Sequence, residues 1–579
     1  MKKLLKFLRP YAKESALSPT FKLLEVIFDL LVPVVVAKMI DSGAAQNNTS
    51  YIIRCFVILL LMAAVGLTCT IFAQFFAAKA SVSFSANLRQ ALFDHIQGLS
   101  FTELDTLGTD TLINRLTDDV NQVQNGVNMT LRLLIRSPLI VFGSMIMAFT
   151  INVRCTIVFA VTIPILFVVV YLIMTVSIPL FGKVQDGLDR VTALTRENLT
   201  GVRVIRAFCR EKHSVEEFES SNRELTALNE FVGRISALLN PLTYVLINIA
   251  AVFLINRCGV QINLGKMQQG EAVALYNYML QMIVELIKLA SLIITINKAL
   301  ACAKRVSAVL DVKTSMEYPK ELDKTAVSKN NCAVSFQNVT FTYKGAGAPS
   351  LYDISFNAEK GQTVGIIGGT GSGKSTLVSL IPRFYDASGG DIFIDGINVK
   401  DYTKEALCGK VGIVQQKSLL FKGSVRDNLK IGNENASDDE LWEALTAAQS
   451  KDVVESKPGK LDFELEQNAA NLSGGQKQRL SIARTLVKKP EILILDDSSS
   501  ALDFATDAAL RSAIKNLGKG IVTFIVSQRI AGIRHADLIL VLDNGKLCGK
   551  GTHDELLQSC DTYKEIYYSQ FPEEKPSNN

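Results

Sequence analysis

Residues 364–376 read Val-Gly-Ile-Ile-Gly-Gly-Thr-Gly-Ser-Gly-Lys-Ser-Thr, a short apolar run that enters the pattern Gly-x4-Gly-Lys-Ser. A strand is expected before this loop and a helix after it, the context in which such a loop cradles phosphate. Gly368, Gly369, Gly371 and Gly373 let backbone N–H groups approach phosphate oxygens, and a helix N-terminus adds positive potential. Thr370, Ser372 and Thr376 belong to the same loop. Lys374 would reach the terminal phosphates of a nucleotide, and the Ser375 hydroxyl would ligate Mg2+. Downstream, Ile492-Leu493-Ile494-Leu495-Asp496 reads as a buried central strand ending in a carboxylate, the second group that Mg2+–ATP requires.

Between these elements stands Asn471-Leu472-Ser473-Gly474-Gly475-Gln476-Lys477-Gln478-Arg479. This run resembles the signature of ATP-binding cassette (ABC) transporters, and further positions fit the resemblance. Tyr343, in Val339-Thr340-Phe341-Thr342-Tyr343, resembles the aromatic that stacks on adenine. Gln416 is similar to the family's Q-loop glutamine, which senses Mg2+. Ser500-Ala501-Leu502-Asp503 is similar to its D-loop, and Asp496 and Ser375 take the Mg2+ positions. Leu112–Asp119 and Arg206–Glu211 resemble its cytoplasmic coupling segments. In that family two cassettes meet head to tail, so Ser473, Gly474, Gly475 and Gln476 would complete an ATP site on a partner. The resemblance therefore implies a dimer.

Two positions depart from the family pattern. The residue after the magnesium aspartate is normally Glu, which polarises the attacking water; here it is Asp497. Its carboxylate is set back by about an ångström, and near-attack geometry tolerates that poorly. The switch region, Ile525-Val526-Ser527-Gln528-Arg529, carries Gln528 where the family has His. An amide can hydrogen-bond a γ-phosphate but cannot relay a proton as imidazole does. The chain has four histidines, at 95, 213, 535 and 553, and none stands there. The stretch Glu466–Ala470 departs as well. ATP at this chain's phosphate loop is thus expected to be held and cleaved slowly, while the intact Ser473–Gln476 run serves a different partner bearing Glu and His. The pattern is similar to the degenerate-site subunit of bacterial heterodimeric exporters.

These residues must be positioned by two unlike halves. The 579 residues are 48% hydrophobic and 20% charged, and mean hydropathy is +0.23. That excludes a disordered or collagenous chain and is high for a soluble enzyme. The net charge of +5 demands no nucleic acid as partner, and ten scattered cysteines without a CxxC pair argue against zinc or a disulfide framework. Apolar stretches of about 20 residues, enough to cross a bilayer, recur near 17–44, 51–78, 129–152, 155–182, 236–256 and 270–298 and do not return after about 310. Six helices are expected, with the longer connections at 79–128 and 183–235, rich in charges of both signs, on the cytoplasmic side together with both termini, in the cell membrane, because the other connections are short and poor in Lys and Arg. Helical spacing within those connections, as in Leu112, Leu116, Val120 and Val123, predicts membrane helices running on into the cytoplasm.

Residues 1–10 read as a short amphipathic helix on the membrane surface rather than a signal peptide. Glu25, Asp29 and Glu285 are charged positions inside spans, and such groups are candidates for lining a substrate cavity. Alternatively Glu285 and Lys288, at i and i+3, pair, and Arg132 and Arg136 sit at headgroup depth.

The fold class expected is an all-α six-helix transmembrane domain (1–310) fused to an α/β P-loop NTPase cassette (332–570). A linker at 311–331 and a disordered tail at 571–579 complete the plan. Asp395-Gly396 and Asn544-Gly545 mark tight hairpins in the cassette. The function implied is ATP-driven export of amphiphilic small molecules, lipids or peptides. The alternatives are an ATP-gated, channel-like regulatory subunit, a homodimeric lipid or peptide exporter, and an importer. The six spans exclude a soluble ABC enzyme of repair or translation, and the lack of a peptidase domain before them disfavours a leader-processing peptide exporter.

Overall fold

The computed structural model describes residues 3–321, 332–498, 502–516 and 520–574. Residues 322–331 of the expected linker, Ser500 and Ala501 of the expected D-loop, and tail residues 575–579 lie outside the described residues. By contacts the chain forms two units: Met1–Gln97 with Asp110–Val312, and Gly98–Thr109 with Lys313–Asn579.

The first unit is helical. Its main elements are α1 (Ala12–Lys38), α2 (Thr49–Gln97), then, beyond a short helix α3 (Phe101–Leu107) that belongs to the second unit, α4 (Val120–Leu133), α5 (Arg136–Ile151), α6 (Val153–Thr200), α7 (Glu211–Ala237), α8 (Leu239–Asn263) and α9 (Gln269–Asp311). Among the described residues five helical stretches are long and apolar enough to cross a membrane: Thr49–Gln97, Thr109–Ile151, Val153–Thr200, Glu211–Asn263 and Gln269–Asp311. The sixth expected span, α1, is less apolar because Lys22, Glu25 and Asp29 interrupt it. At 1.5 Å per residue α2 is roughly 70 Å long, over twice the hydrocarbon thickness of a bilayer, so the helices do run on past the lipid as their sequence predicted.

Local chemistry sets the helix starts. The Asn152 side chain accepts from the backbone N–H of Arg154 and Cys155 (3.0 and 3.2 Å) and caps α6. Gln268 and Glu271 form a capping box at α9. Gly126 on α4 faces Ala299 on α9, and a Cβ there would collide with that alanine, so the two helices approach closely.

Six of the in-span charges are paired. Lys22 Nζ lies 2.5 Å from Glu25, Arg136 reaches Glu25 (3.4 Å), Asp29 (3.2 Å) and Glu285 (2.5 Å), and Lys288 lies 2.9 Å from Glu285. Ser137 Oγ donates to Glu285 at 2.8 Å. Three carboxylates and three cations thus join α1, α5 and α9, the arrangement that keeps buried charge tolerable.

The N-terminal segment is not one amphipathic helix. It makes two 3-10 turns, Leu4–Phe7 and Arg9–Tyr11, because Pro10 lacks the N–H that an α-helix would use. Lys3 pairs with Asp311 at 2.7 Å.

The second unit is α/β. A four-stranded antiparallel sheet has the order β2–β1–β4–β5: Leu351–Glu359, Cys332–Phe341, Gly389–Ile394 and Ile397–Asn398. A six-stranded sheet runs Lys546–Gly551 (β10), Leu538–Asp543 (β9), Thr363–Gly368 (β3), Val522–Val526 (β8), Ile492–Asp496 (β7) and Val411–Val414 (β6). Its strands are parallel except β10, which pairs antiparallel with β9. The central strands β7 and β8 are buried at every position, as expected of strands covered on both faces. Both expected hairpins form, with Asp395, Gly396, Asn544 and Gly545 all at positive φ.

Three expectations are corrected. Residues 313–321 are not a featureless linker: Met316 is buried, and Tyr318 lies under the Arg383 guanidinium (4.6 Å) and donates to the Arg383 carbonyl (3.3 Å). The start of the tail is ordered, with Phe571 packed on the cassette core and Tyr567 bonded to Glu574. The element that packs within the cassette unit is not Leu112–Asp119 but α3. Phe101 stacks on Phe384 at 4.6 Å, whereas Asp119 is tied to Arg305 inside the helical unit. Family resemblance had singled out Leu112–Asp119, whereas the short helix before it carries no motif and too few residues for a period to show.

Candidate functional site

In a parallel sheet, groups placed after the strands converge at one edge. Here β8 lies between β3 and β7, so the loop after β3, the carboxylates at the end of β7 and Gln528, two residues beyond β8, meet. They enclose a cavity of about 580 Å³ lined by Tyr343, Thr370, Gly371, Gly373, Lys374, Ser375, Thr376, Gln416, Asp496, Asp497 and Gln528. Gly368, Gly369 and Ser372 belong to the same loop without lining the cavity. Sequence reasoning missed Pro349, Ser350, Asn544 and Gly545, which also line it. The Asn544-Gly545 turn was legible as a hairpin, but its place beside the phosphate loop follows only from β9 pairing with β3.

The helix Lys374–Leu380 (α10) starts directly from the loop. Gly373, at φ +96°, precedes it, and a Cβ there would lie 2.8 Å from both Leu351 Cδ2 and the Ser350 carbonyl, so only glycine fits. Lys374 folds over the loop and donates to the carbonyls of Gly368 (3.0 Å) and Gly369 (2.6 Å). Ser375 Oγ donates to Asp496 at 2.9 Å, and Gln416 Nε2 donates to Asp497 at 3.2 Å. The Asp497 N–H donates to the Val526 carbonyl at 3.1 Å, and its backbone sits at φ +46°.

Burial dominates the electrostatics of the site. Burial pushes the Asp496 carboxyl above its usual range, with Asp497 adding to the rise and the Ser375 bond opposing it. Burial raises Asp497 too, against the Gln416 bond. Burial pulls the Lys374 ammonium down while both aspartates resist. Phosphate beside Lys374 and a divalent cation beside the carboxylates would each remove the cost of carrying these charges. The lining fits such a guest: Lys374 and the glycine backbone at Gly371 and Gly373 line the same cavity as the two carboxylates. Ser375, Gln416 and Asp496 would hold Mg2+ through their oxygens, and the ion would supply Lewis-acid stabilisation of phosphate charge.

One wall is aromatic. Tyr343 meets Phe341 (4.8 Å) and Tyr385 (5.3 Å) edge to face, and its hydroxyl lies 3.1 Å from Thr376 Oγ1. Tyr385 continues to α3, donating its hydroxyl to Asp105 at 2.7 Å. The sequence reading included neither Tyr385 nor Asp105; no local motif marks them.

Ser473, Gly474, Gly475 and Gln476 lie outside this cavity. They open the helix Gly474–Val487 (α11), where Ser473 Oγ accepts from the Gln476 N–H (3.3 Å) and Gln476 Oε1 accepts from the Ser473 N–H (3.1 Å). Asp503 is likewise outside, and its carboxylate accepts from the Thr506 N–H at 3.1 Å.

Comparison with known proteins follows the same division of the chain. The family model described as ABC transporter transmembrane region matches residues 16–286, and that described as ABC transporter matches residues 351–500. An uncharacterized ABC transporter ATP-binding protein of Mycobacterium tuberculosis (strain CDC 1551 / Oshkosh) is 36% identical over 566 residues, 97% of this chain and 97% of that one. The uncharacterized ABC transporter ATP-binding protein YfiB of Bacillus subtilis (strain 168) is 36% identical over 574 residues, 99% of each chain. The "Putative multidrug export ATP-binding/permease protein YgaD" of the same strain is 31% identical and covers 98% of each. In fold the chain is similar to a solved bacterial Atm1-family ABC exporter with ATP bound. The TM-score is 0.81 over 99% of both chains, at 24% sequence identity, which speaks to the fold alone.

Proposed function

Because this chain belongs to the ABC transporter family, with a multi-pass helical region and one ATP-binding cassette, we propose that it is the degenerate-site subunit of a heterodimeric exporter. Its own phosphate loop holds Mg2+–ATP and turns it over slowly. Its Ser473–Gln476 run completes the working site of a different half-transporter that carries Glu and His. The cargo is an amphiphilic small molecule, lipid or peptide. The cassette and both termini face the cytoplasm of a cell whose plasma membrane holds the helices.

One observation carries this reading. Asp497 and Gln528, the departures from the family pattern at the hydrolytic positions, both line the cavity that contains Lys374, Ser375 and Asp496. They therefore stand where water and γ-phosphate would be, and neither has the reach or the proton chemistry of the residue it replaces. The separation of Ser473–Gln476 from that cavity supports a second subunit. The name of the relative YgaD and the exporter fold support outward transport.

The test is steady-state phosphate release by the full chain in lipid nanodiscs, alone and co-purified with the ABC half encoded beside it. Turnover by the pair and near-silence of the single chain is the expected result. Rapid hydrolysis by this chain alone overturns the assignment. ATP-dependent uptake of cargo into inside-out vesicles reads export, whereas unitary currents would favour the channel-like alternative.

A further inference from the structure

The switch residue Gln528 hangs from a loop held on both sides by a single side chain. Gln570, the last residue of the helix Asp561–Gln570 (α12), donates its Nε2–H to the Gln528 carbonyl at 2.7 Å and accepts the Ile530 N–H on Oε1 at 2.9 Å. One amide thereby makes the donor-and-acceptor pair that a neighbouring strand would make in an antiparallel ladder. It extends the order of β8 past its end.

On the other side of Gln528 the Ser527 N–H donates to the Ile366 carbonyl of β3 at 3.0 Å, and Ser527 Oγ accepts from the Arg529 N–H at 2.9 Å. Arg529 itself turns away, its guanidinium 5.5 Å from the centre of the Phe504 ring. Each residue from 527 to 530 thus has a backbone hydrogen bond, and of these four Gln528 lines the cavity. The support is rigid: Tyr563 and Tyr567 bury α12 in the cassette core, and the Tyr563 hydroxyl lies 2.7 Å from His553 Nδ1.

The geometry points to Gln570 as the positioning residue of the switch. It orients Gln528 toward the terminal phosphate and so sets how well this site distinguishes ATP from ADP. The inference rests on the nucleotide-site reading above and adds a residue that neither touches the cavity nor belongs to a family motif. Holding an amide donor in place matters most for a site that retains rather than fires its nucleotide, because a mobile donor loses its hydrogen bond to entropy.

The experiment measures affinity of the full chain in nanodiscs for Mg2+ with β,γ-imido-ATP and for Mg2+ with ADP, by titration calorimetry. The proteins compared are unaltered, Q570L, Q570E, Q528A and Q528A/Q570L. Q570L is expected to weaken the triphosphate analogue about five-fold, the scale of one net hydrogen bond, and to leave ADP unchanged. Q570E keeps the acceptor for Ile530 but sets a carboxylate oxygen against the Gln528 carbonyl, and should weaken the triphosphate at least as much as Q570L while leaving ADP unchanged. The double variant should be no weaker than Q528A alone. Equal losses for both nucleotides, or a double variant that loses the product of the two single losses, overturns the proposal. Should Q570L unfold, Q570E supports the same comparison. The imido analogue is not hydrolysed, so this outcome is independent of whether the chain turns over ATP.

Discussion

Restoring the longer carboxylate at 497 perturbs two things at once, and the structure sizes both. On the proposed reading, an aspartate in place of glutamate would set the base back by about an ångström, an error that costs on the order of 100-fold in rate. Asp497→Glu, combined with Gln528→His, should therefore raise kcat at this site by up to about 100-fold, about 2.7 kcal/mol of barrier. Position 497 has φ +46°, a left-handed conformation that aspartate adopts more readily than glutamate because its short side chain bonds locally. The substitution should then cost roughly 1 kcal/mol of cassette stability and lower the unfolding midpoint by about 2–4 °C. The assay is phosphate release from the proposed pair, with the catalytic glutamate expected on the other subunit replaced by glutamine so that this site is the source. Unfolding is followed by the fluorescence of Trp442, the only tryptophan in the chain, which packs against the cassette core. A double variant that binds ATP normally yet releases phosphate no faster than the parent refutes the geometric argument.

In the helical unit, Arg136→Gln removes the cation that touches Glu25, Asp29 and Glu285. Loss of about 3 kcal/mol is expected, read as earlier exposure of buried thiols such as Cys55 and Cys69 to a thiol-reactive dye on heating. At the Asp395 turn, burial alone would raise the carboxyl, but Lys410 (2.7 Å) and Lys360 (3.0 Å) outweigh it and hold it below its ordinary range. That stabilisation is complete above the unfolded carboxylate value and lost as pH falls through the lowered folded one. Asp395→Asn should thus cost about 1 kcal/mol at neutral pH, and the gap in Trp442 melting should close only below about pH 4. Tyr385→Phe keeps the ring contacts but deletes the bond to Asp105. Amide exchange across Phe101–Leu107 should quicken about five-fold, while unchanged exchange would show that the bond does not anchor that helix.

How much of this could be read from residues alone depended on how local each signal was. The phosphate loop was legible because glycine, lysine and serine are required at fixed offsets, and Gly373 meets that requirement with a φ that other residues avoid. The Asp395-Gly396 and Asn544-Gly545 turns were legible for the same reason. Long apolar runs gave the membrane helices, though α1 was weaker than expected because it carries half of an ion network whose other half comes from α5 and α9. What stayed hidden is non-local. Gln570 meets Gln528 across 42 residues and Asp105 meets Tyr385 across 280, pairings set by strand order and tertiary packing rather than by spacing. The short helix Phe101–Leu107 carries neither a period nor a motif, so the adjacent Leu112–Asp119, which resembles the family's coupling segment, drew the assignment instead.

The borrowing of Gly98–Thr109 by the cassette unit has a practical corollary for anyone dissecting this protein. A soluble fragment cut at residue 313 would leave Phe101 behind and present Phe384 and Tyr385 bare to water. Such a fragment should be sticky, and nucleotide affinities measured on it would belong to a surface that the intact polypeptide keeps covered.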